Sequence, residues 1–270
     1  MKQILYLESG NRQAGLFSYV MQVIVMAKVC EDQNIPMYVD FSQDMLYYKD
    51  GKANDNVWDY YFEQPYPGII LDEYEKVRAV WYQDHRPLQL PFRYEKDSEF
   101  LKQARRYCKQ YIKIKPELLD IANNFIKNNT NQNYLAIHKR GTDHENAHYF
   151  TLENYFTETD KYIDNYEQLL VCSDEQFSIN EFKKRYGAKV ISYDSARETE
   201  QEPHRRKGAH YKDNSDNFVY RNGRDCVIEA YLLSQAKFLL KTLSNVSHFA
   251  VMSNESLDFI WIDSGYKTFY

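Results

Sequence analysis

Apolar residues in this chain follow two rhythms. Unbroken short runs such as Ile4-Leu5-Tyr6-Leu7 and Tyr134-Leu135-Ala136-Ile137 read as buried strands, and stretches with apolar residues at helical spacing lie between them. The N-terminal part predicts a strand over Gln3–Leu7, a polar glycine-bearing loop up to Gly15, a helix over Leu16–Cys30 and a strand over Pro36–Asp40. Residues 41–100 mix aromatics and prolines and carry no clean period. Two helices follow, at 98–113 and at 116–128, the second with Pro116 in its first turn. The polar run 127–133 reads as a linker, dividing the chain into two α/β halves over 1–130 and 131–270.

Alternation is cleaner beyond the linker. Thr151 caps a helix reaching Ile163, and Gln168–Ser173 is a strand. Ser178–Tyr186 is a helix closed by Gly187, and Lys189–Ser192 is a strand. Residues 194–222 are dense in charge and read as one long loop containing the basic run His204-Arg205-Arg206-Lys207. A helix over Arg224–Gln235, a strand over Lys237–Thr242, a Ser244-Asn245 turn and a helix over Val246–Ser253 complete the pattern. Strands alternating with helices imply an α/β fold with parallel sheets.

Chemistry concentrates where the strand at 134 ends, in Ile137-His138-Lys139-Arg140-Gly141-Thr142-Asp143-His144. Ligands of open α/β sheets bind beyond the carboxyl ends of strands. The planar fork of Arg140 matches phosphate oxygens, Gly141 permits close approach, and Thr142 and Asp143 suit a turn. The same residues also fit an ordinary surface turn. His144, Glu145 and His148 follow at once and include candidates for a general base. A second junction, Thr242-Leu243-Ser244-Asn245-Val246-Ser247, sets hydroxyls and free backbone N–H groups at a helix start. That arrangement serves either plain capping or an anion. Glu229 is a carboxylate suited to a nucleobase N–H or to solvent, and His138 could face a base or a ribose.

Composition narrows the classes. A chain of 270 residues buries a sizeable core. A net charge of −5 and a pI near 5.8 make nucleic acid a poor default partner. The 25 tyrosines suit sugar-lined clefts as well as a compositional bias. Four scattered cysteines form no zinc pattern and need no disulfide framework. The N-terminal apolar run is too short for a signal peptide, and no run nears the ~18 apolar residues of a membrane span. These features predict a soluble cytoplasmic protein.

The second half resembles the core α1,6-fucosyltransferase and nodulation-fucosyltransferase group, relatives of the protein O-fucosyltransferases. Their H-V-R-R-T-D-K hallmark is similar to His138–His144, and an L-A-T-D-D strand end to Val171-Cys172-Ser173-Asp174-Glu175. Their R-G-V-I-L-D-x-x-x-L-S-Q-A-D-F-L stretch resembles Arg224–Leu239, and their T-x-S-S turn matches Thr242-Leu243-Ser244-Asn245. The glycine loop ending at Gly15 is similar to their first βαβ unit.

The resemblance implies a GT-B fold of two facing Rossmann-like domains. It implies inverting, metal-independent transfer of a sugar, fucose from GDP-fucose before all others, onto a glycan hydroxyl. Arg140 would hold the β-phosphate; Ser244, Asn245 and Ser247 would bind phosphate oxygens; His138 and Glu229 would address the base, with Gly15 on the donor side. Glu145, with His144 and Asp143 beside it, would supply the base. This chain departs from the pattern at Gly141, where the family has a second arginine, at His144 in place of lysine, and at Glu229 in place of aspartate. Glu229 would serve guanine or uracil, which leaves a UDP-sugar such as UDP-xylose as an alternative donor. The departures also admit a nucleotide- or glycan-binding protein without catalysis.

Overall fold

The computed structural model describes residues 2–9, 15–42, 47, 55–80, 93–141, 150–197 and 216–263. The chain packs as two compact units: Met1–Leu118 with Ser215–Arg224, and Leu119–Asn214 with Asp225–Tyr270. Each unit holds a parallel sheet, of three and five strands respectively among the described residues.

In the first unit, β1 (Lys2–Glu8) lies between β2 (Met37–Asp40) and β3 (Tyr74–Val80), paired parallel to both. Successive side chains of a strand point to opposite faces, and four consecutive β1 residues, Ile4 to Leu7, are nonetheless buried. Both faces of the strand are therefore covered. Helix α1 (Leu16–Gln33) is buried along most of its length and ends on Asn34 in the left-handed region, φ 51°. Aromatic residues complete this core. Trp58, in the short helix α2 (Trp58–Tyr61), stacks on Phe62 with centroids 4.5 Å apart, and Phe41 meets Tyr19 at 4.9 Å. Helix α3 (Glu99–Tyr111) is capped by Ser98 and carries Arg106 and Tyr107, both bonded to Glu31 of α1. Helix α4 (Pro116–Asn129) follows.

In the second unit the sheet order is β6-β5-β4-β7-β8, all parallel. The central strand β4 (Tyr134–Lys139) is wholly buried. Its neighbours are β5 (Gln168–Ser173) and β7 (Phe238–Lys241), and its edges are β6 (Val190–Ile191) and β8 (Asp258–Trp261). Leu135 and Ile137 face a core shared with Tyr155 and Phe156 of α5 (Leu152–Asp160) and with Ile179 and Phe182 of α6 (Gln176–Tyr186). On the opposite face the Tyr134 hydroxyl donates to the Leu232 carbonyl of α7 (Asp216–Ser234) at 2.8 Å. Helix α8 (Asn245–Ser253) follows β7. Thr151 and Asn154 form the reciprocal cap of α5, and Gly187 ends α6 at φ 60°, as the sequence pattern predicts.

Two expectations need correction, and two strands were not foreseen. The helix expected from Arg224 begins at Asp216. Its first turns, Asp216-Asn217-Phe218-Val219-Tyr220-Arg221-Asn222-Gly223, hold two asparagines, a valine and a glycine, a combination of weak helix propensity. Tertiary contacts stabilise it there: Tyr220 stacks on Tyr61 with centroids 5.7 Å apart, and the Tyr61 hydroxyl donates to the Tyr220 carbonyl at 3.1 Å. A Cβ at Gly223 would press on the Tyr61 ring, so the glycine lets the helix approach. Of the long loop expected over 194–222, residues 195–197 bond to β5 and α7 and residues from 216 are helical, while 198–215 lie outside the described residues. Finally, β3 and β8 carry charged or half-exposed residues at sheet edges, and the apolar pattern did not predict them. Among the described residues, no helix is long and apolar enough to cross a membrane.

Candidate functional site

The strand order of the second unit places a topological switch point between β4 and β7. From β4 the chain proceeds outward to β5 and β6, then returns to the other flank of β4 for β7 and β8. The connections out of β4 and β7 thus diverge, and a crevice opens at their carboxyl ends. His138, Lys139, Arg140 and Gly141 leave β4 on one side of it. Thr242, Ser244 and the start of α8 leave β7 on the other.

Arg140 is oriented by its neighbours. Its Nη1 lies 3.0 Å from Asp174 Oδ2, and the other oxygen of Asp174 accepts from the Gly141 amide at 2.9 Å. Tyr155, fully buried beneath, shares a hydrogen bond of 3.2 Å with Thr242 Oγ1 and another with the Arg140 backbone. One phenol therefore ties the ends of β4 and β7 together below the crevice. A guanidinium held in this way has donors aimed in a fixed direction, which is what binding an anion at low reorganisation cost requires.

Lys139 points to the opposite face of the strand and is buried. Its Nζ donates to Glu175 Oε2 at 2.7 Å, and the same oxygen accepts from Ser178 Oγ at 2.7 Å. A Cβ at position 141 would overlap the Glu175 carboxyl group. The departure at Gly141 thus has a steric cause within this chain: that carboxylate occupies the space a second arginine would need.

His138 is 5% exposed, and its Nδ1 has no hydrogen-bond partner among the described residues. Burial, with Arg140, Lys241 and Lys139 nearby, lowers its pKa to about 3 against the pull of Asp174, so the ring is neutral at physiological pH. A neutral imidazole both donates and accepts, whereas an imidazolium only donates. Lys241, at the end of β7, is buried with its ammonium 3.3 Å from the centroid of Trp261.

Glu229 is buried in α7 and engaged. Ser195 Oγ donates to it, and Arg197 Nη2 lies 3.0 Å away. Burial raises its pKa to about 7, opposed by Arg197 and Ser195. Arg197 also reaches the carbonyls of Ser173 (3.1 Å), Tyr193 (2.5 Å) and Ser195 (3.4 Å), and the Ala196 amide donates to Asp225 at 2.9 Å. Residues 193–197 are thereby fastened between the end of β5 and α7. Arg197 was not a sequence candidate, because a single arginine in a charged stretch carries no pattern.

The hydroxyls after β7 differ in use. Ser244 is the N-cap of α8, yet its side chain makes no capping bond. Ser247 is fully buried and donates to the carbonyls of Thr242 and Ser244, so it shapes the turn from within. Asn245 opens the helix. Gly15 precedes α1 with φ −60°, and a Cβ there would meet nothing within 4 Å among the described residues. Asp143, His144, Glu145 and His148 lie outside the described residues, as do Thr142 and the basic run 204–207. Among the described residues no group of three or more His, Cys, Asp or Glu side chains is disposed to hold a metal ion.

Comparison with solved structures decides the fold. The chain superposes on the NodZ alpha-1,6-fucosyltransferase from a crystal soaked with GDP-fucose with a TM-score of 0.62, over 94% of this chain and 93% of that one, at 11% identity. The fold is that of the GT-B fucosyltransferases. Fucosyltransferase NodZ from Bradyrhizobium gives 0.60 over 93% and 92% at 11% identity. A variant of Arabidopsis thaliana FUT1 in complex with GDP gives 0.56 over 97% and 70%, also at 11%. No family sequence model matches the chain, and no protein of curated function matches it in sequence. The GT-B fucosyltransferase fold is therefore recognised through its backbone, at identities where side-chain roles have to be argued from this chain's own geometry.

Proposed function

We propose that this chain is an inverting, metal-independent glycosyltransferase that moves fucose from GDP-fucose to a glycan hydroxyl. The observation that carries the reading is the oriented Arg140 guanidinium at the switch-point crevice of a GT-B fucosyltransferase fold. The similar NodZ structures come from crystals soaked with GDP-fucose or grown with GDP, and the FUT1 variant is in complex with GDP, which favours a guanosine donor over a UDP-sugar.

In this reading the bond between the sugar C1 and the β-phosphate oxygen breaks, and negative charge grows on the leaving diphosphate. Arg140 offsets that charge, and the backbone N–H groups at the start of α8, with Ser244 and Asn245, hold phosphate oxygens. Ser247 contributes by fixing the turn. The acceptor hydroxyl attacks C1 from the opposite face and gives its proton to a base after Gly141, Glu145 first, with His144 and Asp143 beside it. Neutral His138 bonds the ribose or base. Glu229 serves the base side, exchanging its Ser195 or Arg197 bond for a base N–H or shaping that wall through Arg197. Gly15 leaves room for the donor at the first βα turn.

The test is the thermal midpoint of the wild type and Arg140→Ala with GDP, UDP, ADP and CMP. A ligand that binds only the folded state raises the midpoint by mass action. A shift with GDP alone, lost in the variant, supports the reading; a shift with UDP alone replaces the donor by a UDP-sugar. No shift with any nucleotide overturns it. In donor turnover Arg140→Ala loses about 3 kcal/mol or more of transition-state stabilisation, and an unchanged kcat/KM refutes the role given to Arg140. GDP bound normally with no sugar released or transferred leaves a binding protein.

A further inference from the structure

Directly behind Arg140 lies a buried charge pair that the proposed chemistry does not use. Lys139 and Glu175 are both buried, 2.7 Å apart, and Ser178 holds the same carboxylate oxygen. In the parallel register Lys139 pairs with Ser173, whose hydroxyl accepts from the Glu175 amide at 3.1 Å. Consecutive residues of the β4 end thus meet consecutive carboxylates beyond β5: Lys139 meets Glu175, while Arg140 and the Gly141 amide meet Asp174. The Glu175 carboxyl group also fills the space that a side chain at 141 would take, and Lys139 and Ser178 prevent it from swinging away.

Resting on the donor-site reading above, we propose that Lys139 and Glu175 are positioning residues for Arg140. Their pair, closed over a position that only glycine fills, fixes the strand end from which Arg140 reaches the donor phosphate. A buried ion pair contributes little net stability compared with a neutral pair of the same shape, so stability alone does not account for it. It does limit the strand end to one arrangement, since any displacement of residues 139–141 separates two charges inside a low-dielectric core. Placement matters for a charge-stabilising group because small displacements cost large factors in rate.

The experiment uses the neutral, shape-preserving pair Lys139→Met/Glu175→Gln, alone and combined with Arg140→Ala. GDP affinity and release of fucose from GDP-fucose to water are measured for each. The expected result is a folded variant whose kcat falls about 10- to 100-fold with a smaller change in donor KM. In the Arg140→Ala background the same pair then changes kcat by less than about twofold, because a brace for an absent side chain has nothing to place. A purely structural role predicts equal factors in both backgrounds, and that outcome, or an unchanged kcat, overturns the proposal. Gly141→Ala provides a second route should the pair variant not fold: it displaces Glu175 sterically, is expected to lower kcat at least tenfold, and wild-type turnover from it refutes the brace. Wild-type protein that binds no GDP overturns the donor-site reading itself and this inference with it.

Discussion

Two buried ion pairs of the second unit, Lys139–Glu175 and Arg197–Glu229, look alike by composition and differ in what they hold. Lys139 presents a point charge to one carboxylate oxygen, and the contact joins the ends of two adjacent strands. Arg197 presents a fork that reaches Glu229 and three backbone carbonyls, joining residues 193–197 to the end of β5 and to α7. The lysine pair restrains the strand end next to the proposed phosphate ligand, and does so through side chains alone. The arginine pair restrains main chain, because donors fixed in one plane bond carbonyls of the β5 end and of residues 193 and 195 at once.

This difference is open to direct attack. The largest expected effect comes from neutralising the pairs in turn. Arg197→Met/Glu229→Gln removes the guanidinium bonds to three carbonyls, of which that of Tyr193 keeps the Ser195 amide, and is expected to cost about 3 kcal/mol or more of folding stability. Lys139→Met/Glu175→Gln is expected to cost about 1 kcal/mol or less, since a buried pair replaced by neutral groups of similar volume is often tolerated. Equal losses in urea unfolding would erase the distinction.

A smaller effect tests the electrostatics around the lysine pair. The folded-state pKa of His138 is about 3, against 6.5 unperturbed, with burial the leading cause. As pH falls below 6.5 the unfolded chain takes up a proton that the folded chain refuses, so stability is present above 6.5 and is lost toward pH 3. At pH 5 the loss is about 2 kcal/mol. Glu229 acts with the opposite sign: raised to about 7 from 4.5, it contributes stability below 4.5 that is lost as pH rises through 7. His138→Gln removes only the first contribution. Its stability relative to wild type is expected to rise by about 2 kcal/mol between pH 8 and pH 5. A constant difference across that range would show that the folded protein takes up the His138 proton as readily as the unfolded chain, which overturns the burial effect.

The smallest effect on folding separates capping from ligand binding across the crevice. Ser244 makes no side-chain capping bond, so Ser244→Ala is expected to change stability by only a few tenths of a kcal/mol, well under the ~1 kcal/mol of a working cap. The same change is expected to weaken GDP severalfold, read by titration calorimetry. A loss of stability without a loss of GDP affinity would return Ser244 to an ordinary cap.

Local chemistry accounts for what was legible in the sequence. The α/β class, the strands around residues 4, 38, 136, 170 and 240, the cap at Thr151 and the stop at Gly187 follow from apolar spacing and from backbone preferences of single residues. The strand-end motif at 138–141 was legible for the same reason: a strand, then a cation, then a glycine, within a few residues. Beyond that range the chain alone was silent. Strands β3 and β8 are edge strands whose identity depends on the neighbour they pair with, and the first turns of α7 are helical because Tyr61 receives them.

The same limit applies to the site. Sequence placed Arg140 at a strand end and predicted parallel α/β sheets, because those properties are carried by residues close together in the chain. Only the tertiary structure decided that Glu175 closes over Gly141, that Asp174 aims Arg140, and that Glu229 is held by Arg197, 32 positions away. Each of those partners is a common residue type with no distinguishing spacing. What makes it a partner is the order of strands in the sheet, which brings distant carboxylates to one edge and buries them where a charge has to find its counterpart.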